Sequence, residues 1–295
     1  MPGKEFTREG FALRPAQKHI CVGIGKISLL DQNDFLMQTK NISKKLVLSV
    51  KRFFANAGKK KAVLGLSGGI DSAVCAVILV KALGKRNVSA LLLPAKGISS
   101  EKNLIDAKNL AKSLCIRHYV LELTNFMASF KDLPWLRSKT ATTTTAAATA
   151  RQNLFARQRA VILYSYANST DSLVCGTGNK SEILLGYFTK FGDAAADFLP
   201  IGGLYKSQVR EMARHFGLPK EFLQKAPSAE LWEGQTDEGE IGVKYEEIDQ
   251  ILGLAFDEKK TKTQVIRLGH AKKDVERVFA LFNQNRHKRE LPPIL

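Results

Sequence analysis

An apolar run, a glycine-bearing loop and a helical pattern follow one another without a break from Ala62 to Val80, and no other stretch constrains the fold as much. Ala62–Leu66 is short, apolar and bounded by turn signals, as a buried strand is. Ser67-Gly68-Gly69 turns the chain, and Ala73, Val74, Val77 and Ile78 follow as the inner face of a helix. A strand that feeds a helix through so short a loop aims backbone N–H groups, and the positive end of the helix, at an anion beyond the strand. The glycines let the backbone turn and approach closely. Ser67 and Ser72 can donate hydroxyls to phosphate oxygens. Asp71 stands where that anion would sit, which makes sense if a cation comes too, and Mg²⁺ shared between Asp71 and phosphate is the economical assignment. On the loop alone, the lesser alternative is a tight strand-to-helix turn with Asp71 capping the helix.

The pattern then repeats. Ser89–Leu93 reads as a second strand, Leu104, Ala107, Ala111 and Leu114 as a helical stripe, and Arg117–Leu123 as a third strand. A helix with Leu154, Val161 and Ile162 turned inward precedes a fourth strand, Leu173–Gly176. Such alternation predicts a parallel sheet with helices on both faces, whose ligands bind at the carboxyl ends of the strands, where "SGGIDS" falls. Ahead of the first strand, Leu46, Val50, Phe53 and Phe54 recur at helical spacing. Val209, Met212, Ala213 and Phe216 form an amphipathic helix stopped by Gly217 and Pro219, and two further helices are expected, the last carrying Ala271, Val275, Val278, Phe279 and Phe282. The tract "TATTTTAAATA", Thr140–Ala150, has no large side chain to anchor it and is read as a mobile loop. Residues 1–40 read as an extension and 41–295 as one domain.

Composition narrows the class. The chain carries 45 basic against 28 acidic side chains, a formal charge of +17, which suits a solvated surface, nucleic acid or strongly anionic small substrates. Cys21, Cys75, Cys115 and Cys175 lie far apart with no Cys-x-x-Cys pair, against a zinc ribbon or redox dithiol and in keeping with a reducing, cytoplasmic compartment. The longest apolar run, Ala73–Val80, falls well short of the roughly 20 residues a bilayer needs.

The loop lacks the lysine with which a Walker loop reaches the β- and γ-phosphates, so it suits a grip on departing pyrophosphate with the α-phosphorus under attack. "LSGGIDSAV" resembles the loop of enzymes that split ATP into AMP and pyrophosphate. The second half narrows the resemblance. "CGTGNKSEILLGYFTKFGDAAADFLPIGGLYKSQVREMA", "KAPSAELW", "DEGEIGVKYEEID" and "HKRELPPI", in that order, are similar to the ammonia-dependent NAD synthetase family from about Asn41 onward.

That resemblance implies a doubly wound, Rossmann-like sheet of the adenine-nucleotide α-hydrolase type and a homodimer. It implies ATP-dependent amidation of deamido-NAD⁺ by ammonia through an acyl adenylate, with Mg²⁺ as cofactor. Carried over by position, Gly65, Leu66, Ser67, Gly68, Gly69, Ile70, Asp71 and Ser72 hold the ATP phosphates, with Thr177, Lys206 and Ser228 also on ATP. Asp71 and Glu182 are the magnesium ligands. Arg157, Lys190, Asp197, His287 and Lys288 match positions on deamido-NAD⁺, and Asp193 lies close to the reacting centre. Asp71, Lys206 and Asp193 are then the catalytic set.

Electrostatics argues the same way for several of these. Two polyanions must meet, and cations have to neutralise their repulsion. Lys206 near a helix start opposes the helix dipole, which favours a functional reason for it. Glu182 could instead be a surface residue in a helix's first turn, where a carboxylate is favoured anyway. Tyr187, Phe188 and Phe191 could stack on a nucleotide or fill core. A reactive adenylate calls for water exclusion, and Thr140–Ala150 and Ser228–Gly242 are the two lid candidates. Only about 40 residues precede the matched region, too few for an amidase domain, so free ammonia is the expected nitrogen donor. A tRNA-modifying enzyme of the same superfamily would call for a persulfide-carrying cysteine pair or an RNA-binding domain. A non-catalytic relative would have lost Asp71 or Glu182, and both are present.

Overall fold

Four short segments rich in valine, leucine and alanine pair in parallel: β1 (Lys61–Gly65), β2 (Val88–Leu92), β3 (Arg117–Val120) and β4 (Ser172–Cys175), in the order β3-β2-β1-β4. The structure is a computed structural model and describes residues 32–130, 133, 145–228, 235–291 and 293–294. Residues 1–31, with Cys21, lie outside the described residues, as do 140–144 of the Thr/Ala tract and 229–234 of the second lid candidate.

The helices are α1 (Gln32–Asn56), α2 (Ile70–Leu83), α3 (Glu101–Ser113), α4 (Thr124–Met127), α5 (Thr145–Thr170), α6 (Lys180–Leu185) and α7 (Lys206–His215). They continue with α8 (Lys220–Gln224), α9 (Asp237–Ile241), α10 (Tyr245–Leu252), α11 (Lys262–Arg267), α12 (Lys272–Gln284) and α13 (Arg286–Arg289). Period-2 alternation decides which side chains face which helices. Ala62 and Leu64 of β1 join Val88, Ala90 and Leu92 of β2 in a core shared with α1, α2, α3 and α7. Val63, Leu91 and Val174 point the other way, onto a core closed by α5 through Ile162, Leu163 and Ala167. Both faces are thus covered, as a parallel sheet requires. A third cluster, centred on Tyr205, Tyr245, Ile248, Leu252, Val275 and Val278, holds the C-terminal helices together.

Four expectations are corrected. Thr145–Ala150 is the opening of α5, not loop: alanine is the best helix former, and an absence of large side chains does not oppose a helix. Val161 is 64% exposed, because the face of α5 that meets the sheet runs through Phe155, Ile162, Leu163 and Tyr166. α2 is buried almost all round, since α1 and α7 cover the side that faces away from the sheet. The C-terminal region has several helices after α7 where two were expected, and turns break the run, such as the one at Gly242, φ +83°.

Strand order sets the site. β2 and β3 lie on one side of β1 and β4 on the other, so the chain reverses direction between β1 and β4 and opens a crevice beyond their carboxyl ends. The loop after β1 is Leu66–Gly69, and the loop after β4 runs from Gly176 to Asn179. No helix among the described residues is long and apolar enough to cross a membrane.

Leu64, fully buried in β1, and Ile105, 55% exposed on α3, give a matched test of this layering. Leu64→Ala is expected to lower stability by about 2–5 kcal/mol and Ile105→Ala by less than about 0.5 kcal/mol, read as shifts in urea unfolding.

Candidate active site

A cavity of 1490 Å³ opens at the crevice between β1 and β4, and Gly65–Ser72 (Gly68 excepted), Thr177, Glu182, Lys206 and Ser228 all line it. That volume exceeds what one drug-sized ligand fills, and suits two nucleotides. The loop that forms its floor is built by its own polar atoms. The Ser67 Oγ accepts from Gly69 N–H at 3.1 Å, and the Ser72 hydroxyl donates to Gly69 O at 3.0 Å. Gly69 is the N-cap of α2 and has no side chain to cap with, so the first turn of the helix meets the cavity through Ile70, Asp71 and Ser72. At Gly68, φ +82°, a Cβ would stand 2.2 Å from Asn103 O of α3, so no other residue fits there. Lys225 fastens the same turn: its ammonium donates to Gly68 O at 2.7 Å and to Asp106 Oδ2 at 3.0 Å.

Three separate elements converge above this floor. Lys206, the first residue of α7, has a side chain only 3% exposed. Its Nζ donates to Asp71 Oδ2 at 2.5 Å and to Glu182 Oε1 at 3.2 Å. Asn179 completes the set: its Nδ2 donates to Asp71 Oδ1 at 2.9 Å, and it forms a reciprocal capping box with Glu182 at the start of α6. Glu182 is therefore both a first-turn carboxylate and a cavity residue. Burial works against the Lys206 ammonium, but the two carboxylates outweigh it and push its pKa up. Glu182 is pushed up to about 8, chiefly by burial and against the pull of Lys206, with Asp71 adding repulsion. One cation does not neutralise two carboxylates.

Lys206 sits at the wrong end of a helix for a cation, and the structure supplies the compensation. Asp249 of α10, 2% exposed, accepts from Ser207 N–H at 2.8 Å and from the Ser181 hydroxyl at 2.5 Å, while Ser181 Oγ accepts from Lys206 N–H at 3.0 Å. A buried carboxylate thus caps α7 from across the fold.

The residues expected on the second nucleotide, with Asp193 of the reacting centre, divide into three groups. Asp193 and Lys288 line the cavity. Asp193 Oδ1 accepts from Thr189 N–H at 2.8 Å. Lys288 donates to Gly186 O and Phe188 O at 2.8 and 3.1 Å. Arg157, Lys190 and His287 do not line it but are tied to one another: Arg157 Nε donates to Lys190 O at 3.4 Å, and Lys190 Nζ to His287 O at 2.6 Å. Asp197 stands apart. It accepts from Val174 N–H at 2.7 Å and from the Tyr164 hydroxyl at 3.2 Å, closing the outer edge of β4. Of the aromatic candidates, Tyr187 and Phe188 line the cavity, while Phe191 is exposed beneath the Lys190 ammonium.

Sequence reasoning passed over Asn179, Lys225, Asp237 and Asp249. Asn179 had a signal, the capping-box spacing Asn-x-x-Glu to Glu182. Lys225 and Asp249 act on partners far away in the chain, and Asp237 meets Tyr245 only once α9 and α10 have packed.

Known proteins now bear on this geometry. The NAD synthase family model matches residues 42–292. The chain belongs to the NAD synthase family. The NH(3)-dependent NAD(+) synthetase of Archaeoglobus fulgidus is 40% identical over 258 residues, 88% of this chain and 97% of that one. Among solved structures, the NMN synthetase of Francisella tularensis is 39% identical with a TM-score of 0.74, covering 87% of this chain and 98% of that one. The NH3-dependent NAD synthetase of Campylobacter jejuni is 32% identical with a TM-score of 0.70 over the same shares.

The raised pKa of Glu182 gives a signed expectation for the metal-free protein. Between about 4.5 and about 8 the folded state holds a proton that the unfolded chain has released, so stability falls as pH rises through that window. Thermal melts from pH 5.5 to 8 check this, and in Glu182→Gln the downward slope is expected to be shallower; an unchanged slope contradicts it.

Proposed function

We propose that this chain makes NAD⁺ from deamido-NAD⁺ and ammonia, with ATP converted to AMP and pyrophosphate through an acyl adenylate. The observation that carries the reading is the convergence of Asp71, Glu182 and Lys206 in one cavity at the strand ends, in a chain of the NAD synthase family. The N-terminal turn of α2, with Ser67, Gly69 and Ser72, holds the departing pyrophosphate. Lys206, Thr177 and Ser228 contact ATP, and the Lys206 ammonium meets the charge that develops on the α-phosphate when the nicotinate carboxylate attacks.

The donor set fits Mg²⁺. Among the described residues no three acidic, His or Cys side chains are grouped to hold a metal, but this ion is commonly held by one or two carboxylates with phosphates and water completing its shell. Asp71 and Glu182 are the residues that would hold it, and it would neutralise phosphate charge there.

Arg157, Lys190, Asp197, His287 and Lys288 serve deamido-NAD⁺, with Lys288 at the cavity and Arg157, Lys190 and His287 acting as the linked group beside it. Asp193, on the cavity wall, is assigned to the reacting centre. Ammonia attacks the acyl carbon and AMP leaves. We place the enzyme in the cytoplasm as a homodimer, on the family resemblance. The likeness to the Francisella tularensis NMN synthetase favours a second reading, in which nicotinate mononucleotide replaces the dinucleotide.

One assay separates these. ATP and Mg²⁺ are supplied with deamido-NAD⁺ or nicotinate mononucleotide, and with ammonium or glutamine. The reading expects NAD⁺, AMP and pyrophosphate in equal amounts from deamido-NAD⁺ and ammonium. Product chiefly from the mononucleotide favours the second reading, and no product with any pair refutes both. Lys206→Met is expected to lower kcat by about 10²–10³-fold in the same assay.

A further inference from the structure

Three substrates must meet in this cavity, and the residues placed so far account for ATP and the dinucleotide but give the nitrogen donor no seat. The mechanism also leaves one buried charged group unused. Asp237, at the start of α9, is 4% exposed and lines the cavity. Its Oδ2 accepts from the Tyr245 hydroxyl at 3.4 Å. Its Oδ1 is buried and, among the described residues, has no hydrogen-bond partner. A buried carboxylate oxygen without a donor is costly and uncommon in folded proteins, so what completes it is to be sought among the molecules that enter the cavity.

The surroundings say what kind of donor that is. Asp237 feels attraction from Lys206 and repulsion from Asp71 and Glu182, so the neighbourhood holds more carboxylates than cations. An N–H cation needs one strong acceptor and tolerates aromatic faces. The site already holds one group of this kind: the –NH₃⁺ of Lys206 rests on two carboxylates, 5.2 Å from the centre of the Tyr245 ring. Tyr245 also bonds Asp237. Tyr187, whose hydroxyl donates to Glu240 Oε2 at 2.7 Å, adds a second ring to the same wall.

We infer that Asp237 Oδ1 is the seat of the ammonium ion, held at the cavity wall beside Tyr245 until it gives up a proton to water and leaves as ammonia, the nitrogen donor. The inference rests on the reading given under Proposed function. It makes Asp237 a binding residue for the smallest substrate, whereas Asp71 and Glu182 serve the nucleotide.

Asp237→Asn keeps the shape and removes the charge. With ATP, Mg²⁺ and deamido-NAD⁺ present, ammonium chloride is titrated at one fixed pH, and pyrophosphate–ATP exchange without ammonium reports the first half-reaction. The expected result is a KM for ammonium at least tenfold higher with the KM for ATP within threefold of wild type, and exchange retained. Loss of NAD⁺ formation with exchange retained has the same meaning. An unchanged KM for ammonium overturns the inference. So does a parallel rise in both KM values, or loss of exchange, either of which would assign Asp237 to the nucleotide or to the fold. Asp237→Glu, which keeps the charge, is expected to fall between wild type and Asp237→Asn in ammonium KM; a value above that of Asp237→Asn also counts against it. If wild type itself forms no NAD⁺ from ammonium, it is the underlying functional reading that fails.

Discussion

One buried ammonium shared by two carboxylates is the interaction on which the rest of this cavity depends. Lys206, Asp71 and Glu182 come from three helices, α7, α2 and α6, and each of these begins at a loop that opens toward the crevice. Taking such charges out of water is costly unless partners and hydrogen bonds are supplied, and removing one partner leaves the others uncompensated. Asn179 supplies Asp71, the capping box supplies Glu182, and Asp249 offsets the poor position of Lys206 on its helix. The arrangement is held by second contacts on every member, so its geometry is set before any nucleotide arrives. Its two carboxylates nevertheless outnumber its one ammonium, so Glu182 holds a proton that a further cation, arriving with anionic phosphates, would displace.

Topology decides that these helices meet at all. Strand order reverses between β1 and β4, and the loops that leave those two strands carry Asp71 on one side and Asn179 with Glu182 on the other. The first apolar cluster then holds α7 through Val209, Met212 and Ala213, and the third fixes its start through Tyr205, so that Lys206 reaches both carboxylates. The site is thus a consequence of where the sheet changes direction, and the C-terminal helices complete it.

Much of this was legible in the chain. The strand–loop–helix junction at Ala62–Val80 pointed to the floor of the cavity, because a glycine turn between a buried strand and a helix aims backbone N–H groups beyond the strand end. Lys206 stood out because a cation at a helix start needs a reason. Thr145–Ala150 was misread because side-chain size was weighed and alanine's helix propensity was not. Asp237 and Asp249 were not legible: an acidic residue near a helix start looks the same whether it faces water or a buried tyrosine, and the tertiary partner decides which. Asp197 shows the reverse case, a residue whose motif points to ligand but whose side chain, in this structure, caps the edge of β4.

The central claim is that the nicotinate carboxylate attacks the α-phosphorus of ATP in this cavity, and isotope transfer tests it most directly. Deamido-NAD⁺ carrying ¹⁸O in its carboxylate is turned over with ATP and ammonium, and the products are analysed by mass spectrometry. An acyl adenylate requires one ¹⁸O in each AMP and none in pyrophosphate. Unlabelled AMP, or label in a phosphate released from the other end of ATP, would contradict the account.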